Sequence, residues 1–217
     1  GGFLLVGVIS LFIWIKVSWN DKAALISPRL FKNITFSMQL ICYCFAKIST
    51  LALGFIFPIY IQIVNHGSAS LAGWIMFPGA IIDALMAAIA GKVLDKKGPQ
   101  LPILLGIIAS LTSLFIMCLS SSLTNLGVMW LYALYYGGYG MCFSSLMTSG
   151  LTSLSEENHA QGNAIFNTLQ QFSGAVGTAL AGTLISISQN NKSMPESITN
   201  AEGARWTFIV LIILIIS

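Results

Sequence analysis

Long apolar runs separated by short polar segments constrain this 217-residue chain more than any other feature. Hydrophobic residues make up 56% of the sequence and charged residues only 8%, so one soluble core could not bury the apolar surface. A helix that spans a bilayer needs roughly 20 predominantly apolar residues. The sequence therefore predicts an all-α, polytopic membrane helix bundle with about seven spanning helices. The predicted runs are residues 3–19, 36–64, 69–91, 101–119, 126–154, 161–188 and 205–217.

Both ends of the sequence suggest a fragment of a longer protein. The chain begins with Gly1-Gly2 rather than with methionine, and it stops inside the last apolar run, "WTFIVLIILIIS". At about 1.5 Å per residue, that run covers little more than half of a roughly 30 Å hydrocarbon core. We therefore expect the last helix to be truncated.

Basic residues are distributed unequally between the two sides of the predicted bundle. An excess of Lys and Arg in short loops marks the cytoplasmic face of a membrane protein. The richer side is therefore predicted to be cytoplasmic, with connections at residues 16–36, 92–100 and 155–160. The basic residues are Lys16, Lys22, Arg29, Lys32, Lys92, Lys96 and Lys97 on that side, and Lys192 and Arg205 on the other.

One cytoplasmic connection, "GKVLDKKGPQ" at residues 91–100, combines glycines with charges. Gly91 and Gly98 are predicted to bracket a turn, and a proline follows where a helix cannot easily continue. The spacing G-x-x-x-D-K-x-G resembles the cytoplasmic loop signature of the major facilitator superfamily. The resemblance implies that Asp95 and Lys96, together with the two glycines, belong to a cytoplasmic gate. The basic pair that usually follows the last glycine is replaced here by Pro-Gln.

Further stretches are similar to the fourteen-helix drug–proton antiporter branch of that family. The resemblance implies a linker transmembrane helix at residues 1–19 and a cytoplasmic connection at 20–35. It also implies a carboxy-terminal six-helix bundle at 36–217, with its last helix incomplete. The similar stretches are "SPRLFKNITF" (27–36), "FPGAIIDALMAAIAGKVLDKKG" (77–98) and "QGNAIFNTLQQFSGAVGTAL" (161–180).

The same resemblance implies a function and a set of partners. The expected function is proton-coupled export of hydrophobic drugs or amphiphiles by alternating access, in the cell membrane. The expected partners are the lipid bilayer, the missing amino-terminal half, protons and a small hydrophobic substrate.

Two charged residues, Lys47 and Asp83, lie near the middle of predicted spanning helices. A charge at the centre of a bilayer costs roughly 2.5–3.5 kcal/mol on insertion scales, so such residues are candidate functional groups. Lys47 follows Phe36 by eleven residues, and Asp83 precedes Lys92 by nine. At about 1.5 Å per residue, their depths are roughly 16 and 13 Å. The sequence therefore allows a cross-helix pair, with Asp83 as a proton or cation acceptor. A static pair that only orients two helices is the alternative.

Polar and aromatic stripes at helical spacing predict a surface that substrate could contact. Amide side chains on the second and sixth runs cannot comfortably face lipid. The fifth run contains "LYALYYGGYGMCF", whose aromatic face could accommodate flat hydrophobic molecules. Ordinary helix packing explains the aromatic stripe equally well. The candidate cavity residues are Gln39, Tyr43, Tyr136, Tyr139, Asn167 and Gln170.

The sequence predicts neither an enzyme nor a metal site. The four cysteines lie in apolar runs without a CxxC pair or a neighbouring histidine. The histidines, His66 and His159, lie in loops on opposite predicted sides, so no serine nucleophile acquires a base. No phosphate-binding loop pattern is found. We therefore expect no catalytic residue, no cofactor and no nucleic-acid partner.

Two other classes of membrane protein remain as alternatives. One is a seven-helix receptor, in which Lys47 would serve as a ligand counter-ion or as the attachment point of a chromophore. The other is a membrane scaffold that transports nothing.

Overall fold

A computed structural model describes residues 28–120, 122–189 and 195–216, and these residues form helices joined by short connections. The predicted linker helix, residues 1–19, lies outside the described residues. Short 3₁₀ helices occupy Pro28–Lys32 and Glu156–Asn158. The long helices are α1 (Ile34–Ile59, continuing as a π-helix over Tyr60–Val64), α2 (Ala69–Lys97), α3 (Gln100–Leu119), α4 (Asn125–Thr152), α5 (His159–Gln189) and α6 (Glu196–Ile216).

Three of these helices begin at a polar residue that caps the first turn. The side chain of Asn33 accepts a hydrogen bond from the backbone N–H of Phe36 at 3.1 Å, at the start of α1. Ser68 and Thr124 cap α2 and α4 in the same way. Each cap gives a partner to a backbone N–H that has none within the helix. The caps explain why the apolar runs become helical at these positions.

Helix α4 occupies the centre of the bundle, between α2 and α3, and it also contacts α1. Helix α5 packs against α1 and α6. Small residues allow the close approach of α3 to α4: a Cβ atom added to Gly106 would lie 2.7 Å from the Cβ of Cys142. Close backbone approach through small residues is typical of helix pairs in membranes, where no hydrophobic effect drives helices together.

Helix α2 exposes a row of large apolar side chains along one face. Phe77, Ile81, Leu85 and Ile89 follow one another at intervals of four residues and are 54%, 46%, 57% and 46% exposed. An exposed apolar stripe of this length would promote aggregation in water, whereas hydrocarbon solvates it at no cost. The stripe agrees with a helix that contacts lipid or another helical bundle.

Four of the described helices are long and apolar enough to cross a membrane: α1 with its π-helical extension, α2, α3 and α6. Helices α4 and α5, with 28 and 31 residues, are also long enough, at about 42 and 46 Å. Polar and small residues lower the hydropathy of both helices. Many of these residues in α4 are buried against neighbouring helices and therefore do not contact lipid. The described part of the chain is therefore an all-α membrane helix bundle.

Hydrogen bonds join the connections at each end of the bundle. At one end, Nδ2 of Asn33 donates to the carbonyl oxygen of Ser153 at 2.8 Å. At the other end, Nδ2 of Asn65 donates to the carbonyl oxygen of Leu123 at 2.9 Å and to Oδ1 of Asn125 at 2.8 Å. Segments that the alternating topology predicts on the same side therefore meet.

Three boundaries differ from the sequence-based prediction. Helix α2 continues to Lys97, so Gly91 lies inside a helix and does not bracket a turn. The predicted loop at 92–100 reduces to two residues, Gly98 and Pro99. Gly98 ends α2 with φ of 78°, a conformation that glycine adopts without strain.

The last helix is the third difference. The predicted runs leave residues 189–204 outside any helix, but α6 begins at Glu196 and has 21 residues. That length corresponds to about 31 Å, so the helix is longer than the apolar run at residues 205–217 alone predicts. The first turns of α6 contain polar residues such as Asn200. A search for apolar runs does not predict them as part of a spanning helix.

We expect Asn65→Ala to destabilise the intact membrane protein that contains this chain. The substitution removes two hydrogen bonds and leaves the carbonyl of Leu123 without this donor, at a cost of about 1–2 kcal/mol. Thermal unfolding in detergent measures the effect. The matched control is Gln62→Ala, because Gln62 is exposed and donates only to Pro58 within its own helix. Equal melting temperatures for the two variants would show that Asn65 does not hold this end together.

Candidate functional site

A cleft of about 440 Å³ lies between α1, α2 and α4. Its walls combine two ionisable side chains with aromatic and small residues, in the middle of otherwise apolar helices. Helix α1 contributes Lys47 and Thr50, α2 contributes Asp83, and α4 contributes Tyr136 and Phe143 among others. The cleft therefore brings together the two charged residues that the sequence predicts at mid-depth.

The ammonium group of Lys47 lies over an aromatic ring of the cleft. Its Nζ atom is 5.6 Å from the centroid of the Phe143 ring, which is a cation–π distance. Lys47 and Asp83 interact electrostatically, but no direct salt bridge joins them among the described residues. Both side chains are partly exposed. Each charge is therefore accessible from the cleft and not locked in a buried pair.

Asp83 lies against the backbone of α4 at Gly140. A Cβ atom added to Gly140 would lie 2.6 Å from Oδ1 of Asp83 and closer still to its carbonyl oxygen. Only a glycine permits α2 and α4 to approach this closely while the carboxylate remains in the cleft. The sequence pattern did not identify the role of Gly140. The glycines within "LYALYYGGYGMCF" were the available signal, since a glycine among tyrosines often marks a close helix contact.

A row of aromatic rings follows the face of α4 that contacts α1. Tyr132 and Tyr136 have ring centroids 4.3 Å apart, and Tyr139 and Phe143 stack at 4.7 Å. Phe143 in turn stacks on Tyr43 of α1 at 4.0 Å. The aromatic face that the sequence predicts is therefore continuous. Its outer member, Tyr132, is buried, so it belongs to the core and not to an interfacial aromatic belt.

The hydroxyl group of Tyr136 connects this row to α1. It donates to the backbone carbonyl of Thr50 at 3.2 Å. Thr50 uses its own side chain to donate to Ala46, one turn earlier in α1. Tyr136 thus presents its ring to the cleft while its polar group is satisfied by the helix opposite.

Five of the six candidate cavity residues divide into two groups. Tyr136 and Tyr139 line the cleft together with the charged pair. Tyr43 is fully buried behind Phe143, and its hydroxyl donates to Oε1 of Gln170 at 2.9 Å. Gln39 donates weakly to Ser149 at 3.4 Å. These three side chains therefore link α1 to α4 and α5 and do not form the surface of the cleft.

Asn167 has a different position from the other candidates. It is exposed on α5, and its amide donates to the carbonyl and side-chain oxygens of Asn163 at 3.0 and 3.1 Å. The candidate gate residues Asp95 and Lys96 are also exposed, on the last turn of α2. The described structure therefore separates these polar residues from the mid-membrane cleft.

A second cavity, of about 300 Å³, is almost entirely apolar. It lies between α1, α3, α4 and α6, and it includes the free cysteines Cys42 and Cys142. No charged side chain lines it. The cleft with Lys47 and Asp83 is therefore the stronger candidate for a site that couples charge to transport.

An apolar helical bundle with an ionisable cleft at mid-depth defines a polytopic membrane protein of the transporter class. A family model described as Major Facilitator Superfamily matches residues 1–178. The chain belongs to the major facilitator superfamily, whose members are transporters and not enzymes, and it is a multi-pass protein of the cell membrane.

Individual relatives agree with this family assignment. The chain is 30% identical to the lincomycin resistance protein LmrB of Listeria monocytogenes, over 86% of this chain and 40% of the relative. It is also 30% identical to MdtD of Citrobacter koseri, over 85% of this chain and 40% of the relative. The name of MdtD gives multidrug resistance as its provisional role. The chain therefore spans less than half of the length of these curated relatives.

We expect Gly140→Ala to destabilise the intact transporter. The added methyl group would overlap Asp83, and such overpacking costs about 1–3 kcal/mol. Thermal unfolding in detergent tests this expectation. Gly73→Ala is the matched control, because a Cβ atom there has no neighbour within 4 Å. A melting temperature of Gly140→Ala at or above that of Gly73→Ala would contradict the close contact between α2 and α4.

Proposed function

We propose that this chain forms the carboxy-terminal half of a secondary active transporter, and that the intact protein exports hydrophobic drugs or amphiphiles in exchange for protons. The observation that carries the proposal is the mid-membrane cleft with Lys47 and Asp83. Alternating access would result from this bundle rocking against the amino-terminal half. The cleft would then be alternately open to each side of the membrane.

The energetic cost of the two charges supports a functional role. Each costs roughly 2.5–3.5 kcal/mol at the centre of a bilayer on insertion scales, which selection would remove unless the charge had a use. A purely structural pair needs a direct ion pair with further hydrogen bonds to offset the cost of removing both charges from water. Lys47 instead rests on Phe143, and Asp83 remains partly exposed. This geometry favours groups that change partners during a cycle.

In the proposed mechanism, Asp83 accepts and releases the coupling proton. When Asp83 is ionised, the positive charge of Lys47 stabilises it across the cleft. When Asp83 is protonated, the interaction weakens and Lys47 keeps its contact with Phe143. Binding and release of the proton would therefore change the net charge of the cleft by one unit.

The aromatic residues of the cleft would contact the substrate. Tyr136, Tyr139 and Phe143 present ring surfaces beside the charges, which suits molecules that combine a flat apolar part with a polar group. Lincomycin is a reasonable first substrate to test, because relatives of this chain are named for resistance to it. Asp95 and Lys96, with Gly91 and Gly98, would contribute to a cytoplasmic gate as the family resemblance implies.

We expect Asp83→Asn in the intact transporter to abolish transport driven by a proton gradient. The amide keeps the size of the carboxyl group but cannot exchange a proton, so coupling fails while substrate binding persists. Uptake of a labelled substrate into inverted vesicles measures driven transport, and counterflow without a gradient measures exchange. We expect driven uptake to fall to background and counterflow to remain.

Glu157→Gln provides the control, because Glu157 is exposed in a connection far from the cleft along the chain. Unchanged driven uptake by Asp83→Asn would remove Asp83 from the coupling mechanism. Failure of the unsubstituted protein to show counterflow with any substrate would instead support a membrane scaffold. A retinal-like absorption band that disappears in Lys47→Met would support the receptor alternative.

A further inference from the structure

A polar recess of about 340 Å³ lies at the end of the bundle where Asn65 holds the connection between α3 and α4. It is enclosed by the end of α1, that connection and the first turns of α6. Met117 and Phe208 form part of an apolar floor, and Glu202 and Arg205 belong to the rim. An apolar floor below a charged rim matches the shape of an amphiphilic ligand.

The two rim charges have opposite signs, and neither has a partner among the described residues. Glu202 and Arg205 are three residues apart on α6, a spacing at which opposite charges on a helix often pair. Both side chains are exposed, and within the described residues neither has a hydrogen bond or an ion pair. The carboxylate and the guanidinium are therefore both available to one ligand that carries a positive and a negative group.

Exposed tryptophans indicate that this end lies at the surface of the bilayer. Trp74 and Trp130 are 69% and 67% exposed, and each lies in the half of its helix nearest to this end. Tryptophan is enriched at the depth of the lipid headgroups, where its ring contacts apolar chains and its N–H contacts polar groups. The recess therefore lies where headgroups of the membrane reach the protein.

We propose that this recess binds a glycerophospholipid with a phosphoethanolamine headgroup. Arg205 donates to the phosphate oxygens, because a guanidinium presents paired donors that fit them. The primary ammonium of the headgroup donates to the carboxylate of Glu202, and the hydroxyl of Ser197 lies at the same rim. The glycerol and upper acyl carbons contact Met117 and Phe208. The site is separate from the transport cleft and does not depend on the proposed export activity.

The choice of headgroup follows from the charges at the rim. A choline headgroup carries the same positive charge, but its trimethylated nitrogen has no N–H to donate to Glu202. A glycerol headgroup has the phosphate but no positive charge. Comparison of the three lipids with identical acyl chains therefore separates the contributions of the two rim residues.

Native mass spectrometry of the intact transporter in detergent tests the proposal, with phosphatidylethanolamine, phosphatidylcholine and phosphatidylglycerol as probes. We expect the unsubstituted protein to retain phosphatidylethanolamine about tenfold more strongly than phosphatidylcholine, the scale of one charged hydrogen bond. Glu202→Gln should abolish that preference. Arg205→Gln should weaken retention of all three lipids.

Lys32→Gln and Glu157→Gln are the matched controls, because both residues are exposed and neither lines the recess. Both should retain the lipid preference of the unsubstituted protein. Equal retention of ethanolamine and choline lipids by the unsubstituted protein would overturn the proposal without any variant. A preference that survives in Glu202→Gln would also overturn it. Soluble glycerophosphoethanolamine has the same headgroup but no acyl chains to contact the apolar floor. Displacement of phosphatidylethanolamine by an equal concentration of this compound would show that the site does not require a lipid.

Discussion

The cost of holding a charge in hydrocarbon determines the arrangement of this bundle. Lys47 and Asp83 lie near the middle of their helices, and neither tolerates contact with lipid tails. The fold meets this requirement by giving both side chains one shared cleft between α1, α2 and α4. Gly140 makes the arrangement sterically feasible, because α2 can approach α4 closely enough to present Asp83 at the surface of the cleft. Phe143 supplies a face for the ammonium group of Lys47 without neutralising it.

Behind the cleft, a second layer of contacts holds its walls in position. Tyr43 stacks on Phe143 and donates to Gln170, so it joins α1 to both α4 and α5. In a membrane the helices have little hydrophobic drive to associate, and such hydrogen bonds and ring contacts contribute much of the specificity of packing. The two layers differ: Lys47 and Asp83 in the front layer are partly exposed, whereas Tyr43 behind them is buried and its hydroxyl group is hydrogen-bonded. This division would suit the proposed half-transporter, because its cleft would stay polar while the supporting helices moved together.

The two ends of the bundle are also unlike each other. Near Asn65, a π-helical segment, the hydrogen bonds to the α3–α4 connection and the recess at Glu202 and Arg205 form one polar region. Pro58 precedes this segment, and a proline removes a backbone donor from the helix interior. Tyr60 and Val64, at the two ends of the π-helical segment, both line the recess. A lipid bound in the recess would therefore contact the least regular part of α1.

The sequence by itself determined the number and order of the described helices and the alternation of their connections between two sides. The reason is that the length of an apolar run is a local property, which the thickness of the bilayer selects directly. It also indicated the family, the mid-depth positions of Lys47 and Asp83, and the aromatic face of α4. It did not show that α2 continues through Gly91 to Lys97 or that α6 begins at Glu196, since charged and polar residues at helix ends lower hydropathy without ending a helix. Only the tertiary structure decided which stripe residues line the cleft. Tyr43 and Tyr136 are both tyrosines that the sequence predicts to face the cavity. Tyr43 is buried behind Phe143, whereas Tyr136 lines the cleft. Exposure depends on the neighbouring helix, and the packing of one helix against another is not encoded in the periodicity of either.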